Sequence, residues 1–469
     1  MKPYLRSVQI ADRFQAFLYV AGLCLALGLA NRANAIPAFA RKYGTSCQTC
    51  HTVYPKLTPF GEAFRHNGYR FPGVDSDYWK QETVALGQEG YKKTFPNSVW
   101  PGTLPGSVPL ALGFNGSALI HPDKNATGAQ ADNGTNFTLQ NLVGEMHLWA
   151  GGSYDDIFTF WAEVTFSTSG GVSVEKAQIL FNDLLGPKHL LNAIVGRGVA
   201  NLTSFGPHSS YIADALVPSI PVTALFGAPG DSFNIGDNFN SVELNGSIAG
   251  RVLYNVGLSA GQHIDTRPTE NIYGHLGVKF GGMRVDGEGS SGPTDPLRPW
   301  AETALTLDAF AYKHVSHFAP AGAPAGAPPQ QDSGGTIGGG ARIQWNSLEL
   351  DTGVYNETHS HAQADGTGAS ALVQYNELSY IVFPWLVPAL RVEYIRLSPD
   401  NNPVIHDLRF LPGVAFLIRP NIKVTVVGQI EQSNGAPPGG WTPINGFIAP
   451  TDGPITEFEA ITIYLATAF

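Results

Sequence analysis

Cysteine is almost missing from this chain of 469 residues: Cys24, Cys47 and Cys50 are the whole supply. So small a number cannot staple a chain of this length, and a disulfide framework is excluded. Methionine is as scarce, with three residues, so a methionine ligand to a metal could come only from Met146 or Met283 once the leader is gone. Charge is sparse and leans to one sign: 28 Lys and Arg against 38 Asp and Glu leave a net charge of −10. That argues against a nucleic-acid partner and for attraction of cations, or simply for solubility. No stretch beyond the N terminus is apolar for the about 20 residues that a membrane helix needs. Strands remain open, because a membrane strand needs about 9 to 11 residues and carries a weak alternating signature. Catalytic triads and phosphate loops are also lacking, and the glycine runs fall where loops call for them.

The first residues carry the compartment. Lys2, Arg6 and Arg13 precede an apolar run from Phe17 to Ala30, and Ala33–Ala35 offers a small-residue cleavage site. This predicts a secretory signal peptide over 1–35. Its removal takes Cys24 away and leaves a mature charge near −13.

Residues 36–107 are dense in proline and aromatics. "KLTPFGEAFRHNGYRFP" predicts a short helix with Thr58 as N-cap, Pro59 at the first position and Gly68 as the stop. "DYWKQETVALGQEGY" is expected to form a second helix, and 95–107 a linker. From 108 to 469 the period becomes two. In "IFTFWAEVTFS", Phe158, Phe160, Ala162, Val164 and Phe166 share one face, while Thr159, Glu163 and Thr165 share the other. Such alternation belongs to strands. About 16 strands can be placed, and their connections alternate between short turns and long loops, which is the pattern of an outer-membrane barrel with both ends periplasmic. One connection, 284–299, is long where a turn is expected. The last strand ends on Phe469, with Ile461, Ile463 and Leu465 on the same face. The expected fold is therefore an all-β, antiparallel outer-membrane β-barrel behind a small N-terminal helical domain that partly fills the lumen. The segment 199–237 is expected to fold inward as a second constriction.

Both mature cysteines stand in one motif, Cys47-Gln48-Thr49-Cys50-His51. C-x-x-C-H is the attachment signature of a c-type haem, two thiols reaching adjacent vinyl groups and the histidine reaching the iron. A zinc site would need a further Cys or His pair nearby, a thioredoxin-like pair a βαβ setting; a plain Cys47–Cys50 disulfide is the bland alternative. For the opposite side of the iron, His66 is the candidate within 36–107, although it lies off the Phe60, Ala63 and Phe64 stripe and a solvated flank suits it as well. His147, sharing a face with Glu145, is the alternative. Phe39, Tyr43, Tyr54, Phe60, Phe64, Tyr69 and Phe71 are available to cover a macrocycle, or to form a small core. Arg41, Arg65 and Arg70 could meet propionates, or form a positive rim.

An export leader, a single C-x-x-C-H near the mature N terminus and a barrel of about 16 strands form a combination that resembles the fused outer-membrane monohaem cytochrome–porin family, the extracellular iron-oxidising cytochromes. "FARKYGTSCQTCHTVYPKLTPFGEAFRHNGYRFP" is similar to that family's haem segment, with its F-A-R lead, C-x-x-C-H, F-G-x-x-F and G-Y. The resemblance implies one haem c on Cys47 and Cys50 with His51 as ligand, and electron passage across the outer membrane. The partners implied are outer-membrane lipid, an extracellular donor such as Fe(II) and a periplasmic carrier such as a c-type cytochrome. An outward conduit to an external acceptor, and a diffusion porin with a structural or sensor haem plug, are the other readings.

Histidines also gather at the predicted outer loops: His121, His208, His263, His314, His317, His359, His361 and His406. "HSH" at 359–361, flanked by Glu357 and Asp365, and "HVSH" at 314–317 are close pairs whose donors suit divalent iron. Solvated loop histidines are the bland reading of the same residues.

Overall fold

A computed structural model describes residues 38–468 apart from 74, 81–82, 86, 88, 99–102, 106–108, 125–129, 155–156, 169, 201, 203–209, 213–237, 261–270, 290–294, 296, 319–329, 362–365 and 436–454. The expected leader at 1–35, His208, His263, Asp365 and Phe469 lie outside the described residues.

Sixteen strands, from β5 (Leu110–Lys124) to β20 (Ile455–Ala468), form a closed antiparallel barrel; each pairs with its neighbours in sequence, and β20 pairs back onto β5. The two faces of each strand are inverted relative to a water-soluble protein. In β15 (Leu348–His359), Glu349, Asp351, Tyr355, Glu357 and His359 are buried, while Val354 between them is 45% exposed. Elsewhere Leu244, Leu276, Ile337, Ile343 and Trp345 point outward and Glu163, Glu243, Arg342, Arg391 and Glu431 inward. Charged side chains shut inside a closed sheet must be paired. Most of these are: Arg342 meets Asp351 at 2.8 Å, Arg391 meets Glu377 at 2.7 Å and Arg409 meets Asp407 at 2.7 Å, while Glu243 accepts from the Tyr273 hydroxyl at 2.9 Å.

Connections at one end are short, as between β10 (Asn238–Ile248) and β11 (Val252–Ser259), or between β14 (Gln330–Asn346) and β15. Connections at the other end run longer, as between β13 (Glu302–Phe318) and β14. The exception expected at 284–299 exists, between β12 (Asn271–Gly281) and β13, and the packing explains it. Met283 at its start joins Tyr43, Phe60, Ala63, Phe64 and Phe71 in one apolar cluster. Gly287, at φ +69°, leaves the room that Pro72 and Ala63 occupy. The long connection therefore covers the N-terminal segment.

That segment is less helical than expected. Helix α1 (Ala38–Tyr43) is followed by a 3-10 turn at Cys47–Thr49, a ribbon of β1 (His51–Val53) and β2 (Lys56–Leu57), and helix α2 (Pro59–His66). Thr58 caps α2 by accepting from the Gly61 amide at 3.1 Å, Pro59 opens it, and Gly68 at φ +66° follows its C-cap Asn67. The second expected helix is divided. Asp75–Tyr78 is a 3-10 turn, β3 (Thr83–Ala85) pairs with β4 (Thr103–Pro105), and a helix, α3, begins only at Glu89 and runs to Thr94. Asp75 favours this outcome: its carboxylate accepts from the Tyr43 hydroxyl, the Phe71 amide and the Trp79 indole at 2.7–2.8 Å, which fixes a turn where a helix would have to start. β4 likewise puts regular structure inside the expected linker.

The N-terminal segment packs on inward-facing side chains at the short-turn end. Lys56, 1% exposed, pairs with Glu349 and with Asp351 at 3.3 Å. Glu62 meets Arg342 at 3.3 Å, Arg70 meets Asp183 at 3.0 Å, and the Thr159 hydroxyl donates to the Gly68 carbonyl at 2.7 Å. Tyr69 stacks between Phe39 and Trp161, with centroids 5.6 and 5.4 Å away. From 199–237, Ser210, Tyr211 and Ile212 do fold inward: Tyr211 and Ile212 join Val53 in an apolar cluster, and Lys56 Nζ lies 5.1 Å from the Tyr211 ring.

Breaking a buried ion pair by removing one partner costs about 3–5 kcal/mol. Lys56→Met is therefore expected to loosen the N-terminal segment without opening the barrel. Limited proteolysis should show new cleavage within 38–78, while the barrel keeps its resistance to SDS at room temperature. Lys56→Met combined with Glu349→Gln should recover part of the protection.

Candidate functional site

A cavity of about 530 Å³ lies between the N-terminal segment and the short-turn half of the lumen, within the about 300–1,000 Å³ usual for small-molecule and cofactor sites. Cys47, Cys50, His51, His66 and His147 all line it. Four of these five come from 20 consecutive residues folded back on themselves. The 3-10 turn holds the two cysteines together, capped by Ser46, whose side chain accepts from the Gln48 amide. The next turn brings α2 directly onto the motif: the Thr58 amide donates to the Cys50 carbonyl at 2.9 Å, and the Thr58 hydroxyl donates to the Thr49 carbonyl at 3.0 Å. The contact is so close that a Cβ on Gly61 would stand 2.0 Å from the Cys50 carbonyl oxygen. Glycine at 61 is thus required by the approach of helix to motif.

Both cysteines are free of disulfide. Burial raises both thiols, Cys50 to about 12, so neither is a thiolate and a thiolate metal site is disfavoured. His51 Nδ1 lies 3.1 Å from the Pro55 carbonyl. A carbonyl can only accept, so Nδ1 carries the proton and Nε2 keeps its lone pair, the arrangement that orients a metal-ligating imidazole. Burial lowers His51 to about 4 and His66 to about 3, so both rings are neutral near neutral pH. His66 Nε2 has a weak contact with Glu62, at 3.7 Å across one helical turn. His147 is held on both sides, Nδ1 at 3.2 Å from Glu163 and Nε2 at 3.4 Å from Glu145, with its ring stacked on Trp149 at 5.4 Å. Of the two rings, His66 has the weaker polar contacts and His147 is held by carboxylates on both nitrogens.

Aromatic side chains supply the walls: Phe39, Tyr54, Phe64, Tyr69, Trp149 and Trp161. Arg65, Lys176 and Lys279 also line the cavity, where they meet Glu62 at 3.5 Å, Glu163 at 2.6 Å and Glu302 at 2.7 Å, so carboxylates of a ligand would have to share them. Arg70 and Arg41 do not take that part. Arg70 is committed to Asn67 and Asp183, and Arg41 donates to the Leu110 carbonyl. The residues present thus fit a c-type haem: two uncommitted sulfurs, an imidazole with a fixed tautomer, a second neutral imidazole, apolar walls and cations on one cavity.

The outer histidines divide. His359 and His361 do not converge. β15 ends at His359, the alternation stops there, and the His361 ring turns to the Ser360 hydroxyl at 3.0 Å. His359 instead meets His314 of β13 and Asp332 of β14, all three buried. Asp332 was not legible as a site residue, because it reaches His359 only through strand pairing. A series of rings leads from this group toward the cavity: His314 to Tyr312 at 6.4 Å, Tyr312 to Tyr273 at 6.1 Å, and the Tyr273 hydroxyl to Glu243, a cavity wall residue, at 2.9 Å.

No protein-family model and no curated protein matches this sequence. Among solved structures, the chain is similar to an anion-selective porin from Comamonas acidovorans (12% identity, TM-score 0.49, covering 77% of this chain and 99% of that one). It is also similar to the outer-membrane OmpT of Vibrio cholerae (10%, 0.47, 77% and 97%) and to OprB of Pseudomonas putida (11%, 0.45, 77% and 94%). The likeness is one between barrels, at identities too low to carry function.

The neutral histidines give a pH prediction. An unfolded histidine titrates near 6.5, whereas His51 and His66 in place resist protonation down to about 4 and about 3. Between those limits the loosened segment binds protons that the packed one refuses, so packing is favoured above about 6.5 and lost as pH falls. In the haem-free chain, protease protection of 38–78 is expected to decline from pH 6.5 toward 4. A flat profile across that window would contradict the burial of the two rings.

Proposed function

We propose that this protein is an outer-membrane electron conduit, which takes electrons from an extracellular donor, Fe(II), and passes them through one c-type haem to a periplasmic carrier. The observation that carries this reading is the meeting of Cys47, Cys50, His51 and His66 on one cavity inside a closed barrel. Lipid suits the outer face, whose inward–outward inversion leaves large apolar side chains exposed around the strands. The short-turn end, where the N-terminal segment and both barrel ends lie, is the periplasmic end on this reading.

When bound, a c-type haem supplies a one-electron Fe(III)/Fe(II) couple. The chain's residues have distinct parts to play around it. Cys47 and Cys50 would hold it through thioethers. His51 Nε2 would ligate the iron, its orientation set by the Nδ1–H···O=C bond to Pro55, and His66 would supply a second imidazole. Phe39, Tyr69 and Trp161 exclude water from the cavity wall. Lys56, Tyr211 and the ion pairs of Glu349, Asp351 and Arg342 occupy the lumen beside it, which favours electrons over solutes as the cargo. From Asp351, beside Lys56, to His359 the strand rises about 27 Å over eight residues, and the ring series from His314 to Tyr273 spans part of that gap. In each turnover one Fe(II) loses one electron and leaves as Fe(III), and the carrier gains that electron.

A diffusion porin with a structural haem plug is the second reading, favoured by the sixteen strands, a number that can enclose an aqueous channel. Two measurements separate the readings. Anaerobic Fe(II) mixed with the detergent-solubilised holoprotein in a stopped-flow cell is expected to raise a ferrous α-band, and planar bilayers are expected to show no large steady conductance. Reduction by dithionite but not by Fe(II), together with open-channel currents, would make the protein a porin. His66→Ala should keep covalent haem but lose the low-spin, six-coordinate spectrum, while His147→Ala should keep both.

A further inference from the structure

At the far end of the lumen, His314 Nε2, His359 Nδ1 and Asp332 Oδ2 converge. The separations are 2.7 Å from His359 to Asp332, 3.1 Å from His314 to His359 and 4.0 Å from His314 to Asp332. A triangle with those sides has a circumradius of about 2.0 Å, so one point stands that far from all three atoms. Metal–nitrogen and metal–carboxylate bonds run about 2.0–2.2 Å. The fourth contact is of the kind that surrounds a metal rather than binds it. His359 Nε2 lies 2.7 Å from Glu357 Oε1, the outer carboxylate that typically fixes the tautomer of a ligating imidazole.

Charge makes the same argument independently. Asp332 and Glu357 are both buried, at 0% and 1% exposure. Among the described residues, no lysine or arginine pairs with either; their ionic partners are His314 and His359. Elsewhere in the lumen buried Asp351, Glu377 and Asp407 each meet a guanidinium, while Glu243 is held by the Tyr273 hydroxyl and the Asn245 amide. Here two carboxylates face two imidazoles, a set whose charge a divalent cation would balance. Among the described residues His314 Nδ1 is buried without a hydrogen-bond partner, so the ring's one polar tie there runs through Nε2, the nitrogen that points at the group.

We infer that His314, His359 and Asp332 form a binding site for a divalent first-row metal ion, with Glu357 as the positioning residue of His359. Two imidazoles and one carboxylate suit Fe(II) and Zn(II) alike. That Fe(II) is the ion held there in use rests on the conduit reading; the site itself does not. The sequence pairs "HSH" and "HVSH" point to this region, but they place two imidazoles of one loop together, whereas the site takes one from each pair and completes itself with Asp332.

Zinc is the probe that tests the site, because it binds such donors without redox chemistry. Equilibrium dialysis of the untagged, solubilised holoprotein should retain one Zn(II) per chain. His314→Gln and Asp332→Asn, each nearly isosteric, should weaken that affinity at least tenfold, Glu357→Gln should weaken it by about 10–100-fold, and His361→Asn should leave it unchanged. Covalent haem content and SDS resistance check that each variant is folded. Wild-type protein that retains no Zn(II), or folded His314→Gln and Asp332→Asn variants that both retain it as wild type does, would overturn the site. Stopped-flow mixing with Fe(II) then separates the two readings. Zn(II) bound as expected with no Fe(II)-driven haem reduction supports the site and sinks the conduit. Rapid Fe(II)-driven reduction in a protein that retains no Zn(II) overturns the site and spares the conduit.

Discussion

Lys56 reaches out of a short ribbon in the N-terminal segment and ends between Glu349 and Asp351 on the inner wall of β15. Three buried charges and the Arg342 guanidinium beside them have no solvent to turn to, so they hold one another. The pairing follows from the barrel itself. A closed sheet with an apolar outside can put its polar side chains only inward, and each inward charge then needs a partner from another strand or from whatever enters the lumen. Arg342 shows both solutions at once, meeting Asp351 on the next strand and Glu62 from helix α2. The N-terminal segment is thus a set of partners for charges that the strands alone leave in excess.

Its place then determines what the motif can be. Because Lys56 and Glu62 are anchored to β14 and β15, the turn before them is pressed into the lumen mouth, and Cys50 lies under α2 with no room for a side chain at 61. The same compression half-buries His51 and fixes its proton on Nδ1. A C-x-x-C-H in a mobile tail would have none of these features. Burial, a chosen tautomer and a neutral second imidazole are properties that the barrel confers on a segment too small to have a large core of its own.

What the sequence revealed, and what it hid, divides by range. Thr58, Pro59 and Gly68 bracket α2 through contacts within a few residues, so they could be read directly. The alternation of β7 (Phe158–Ser167) or β15 is local in the same sense, and so is the motif at 47–51. Strand pairing also transmits the order of turns and loops, which is why the odd connection at 284–299 stood out before its partner was visible. That partner, the α2 cluster around Phe64, lies more than 200 residues away, and no local pattern encodes it. The misread helix at 77–91 has a similar cause: Asp75 binds Tyr43, which no window around Asp75 contains. Lys56 with Asp351, and His359 with Asp332, are the same lesson at the two ends of the lumen. Charge tells that partners must exist; register decides which ones they are.

The lumen also constrains what can cross it. An aqueous pore needs a continuous polar path with mobile water, yet Tyr273, Tyr312, Phe310, Tyr355 and Phe239 pack as one buried cluster between the His314 group and the cavity wall. Side chains packed in this way give this arc of the inner wall the density of a protein core. Tyr312 and Tyr273 also have their hydroxyls fixed, to Ser259 at 2.8 Å and to Glu243 at 2.9 Å, so the rings cannot swing aside to open a channel without breaking buried hydrogen bonds. The aromatic cluster and its two fixed hydroxyls therefore give this part of the inner wall one set arrangement, with His314 at one end of the ring series and the cavity wall residue Glu243 at the other.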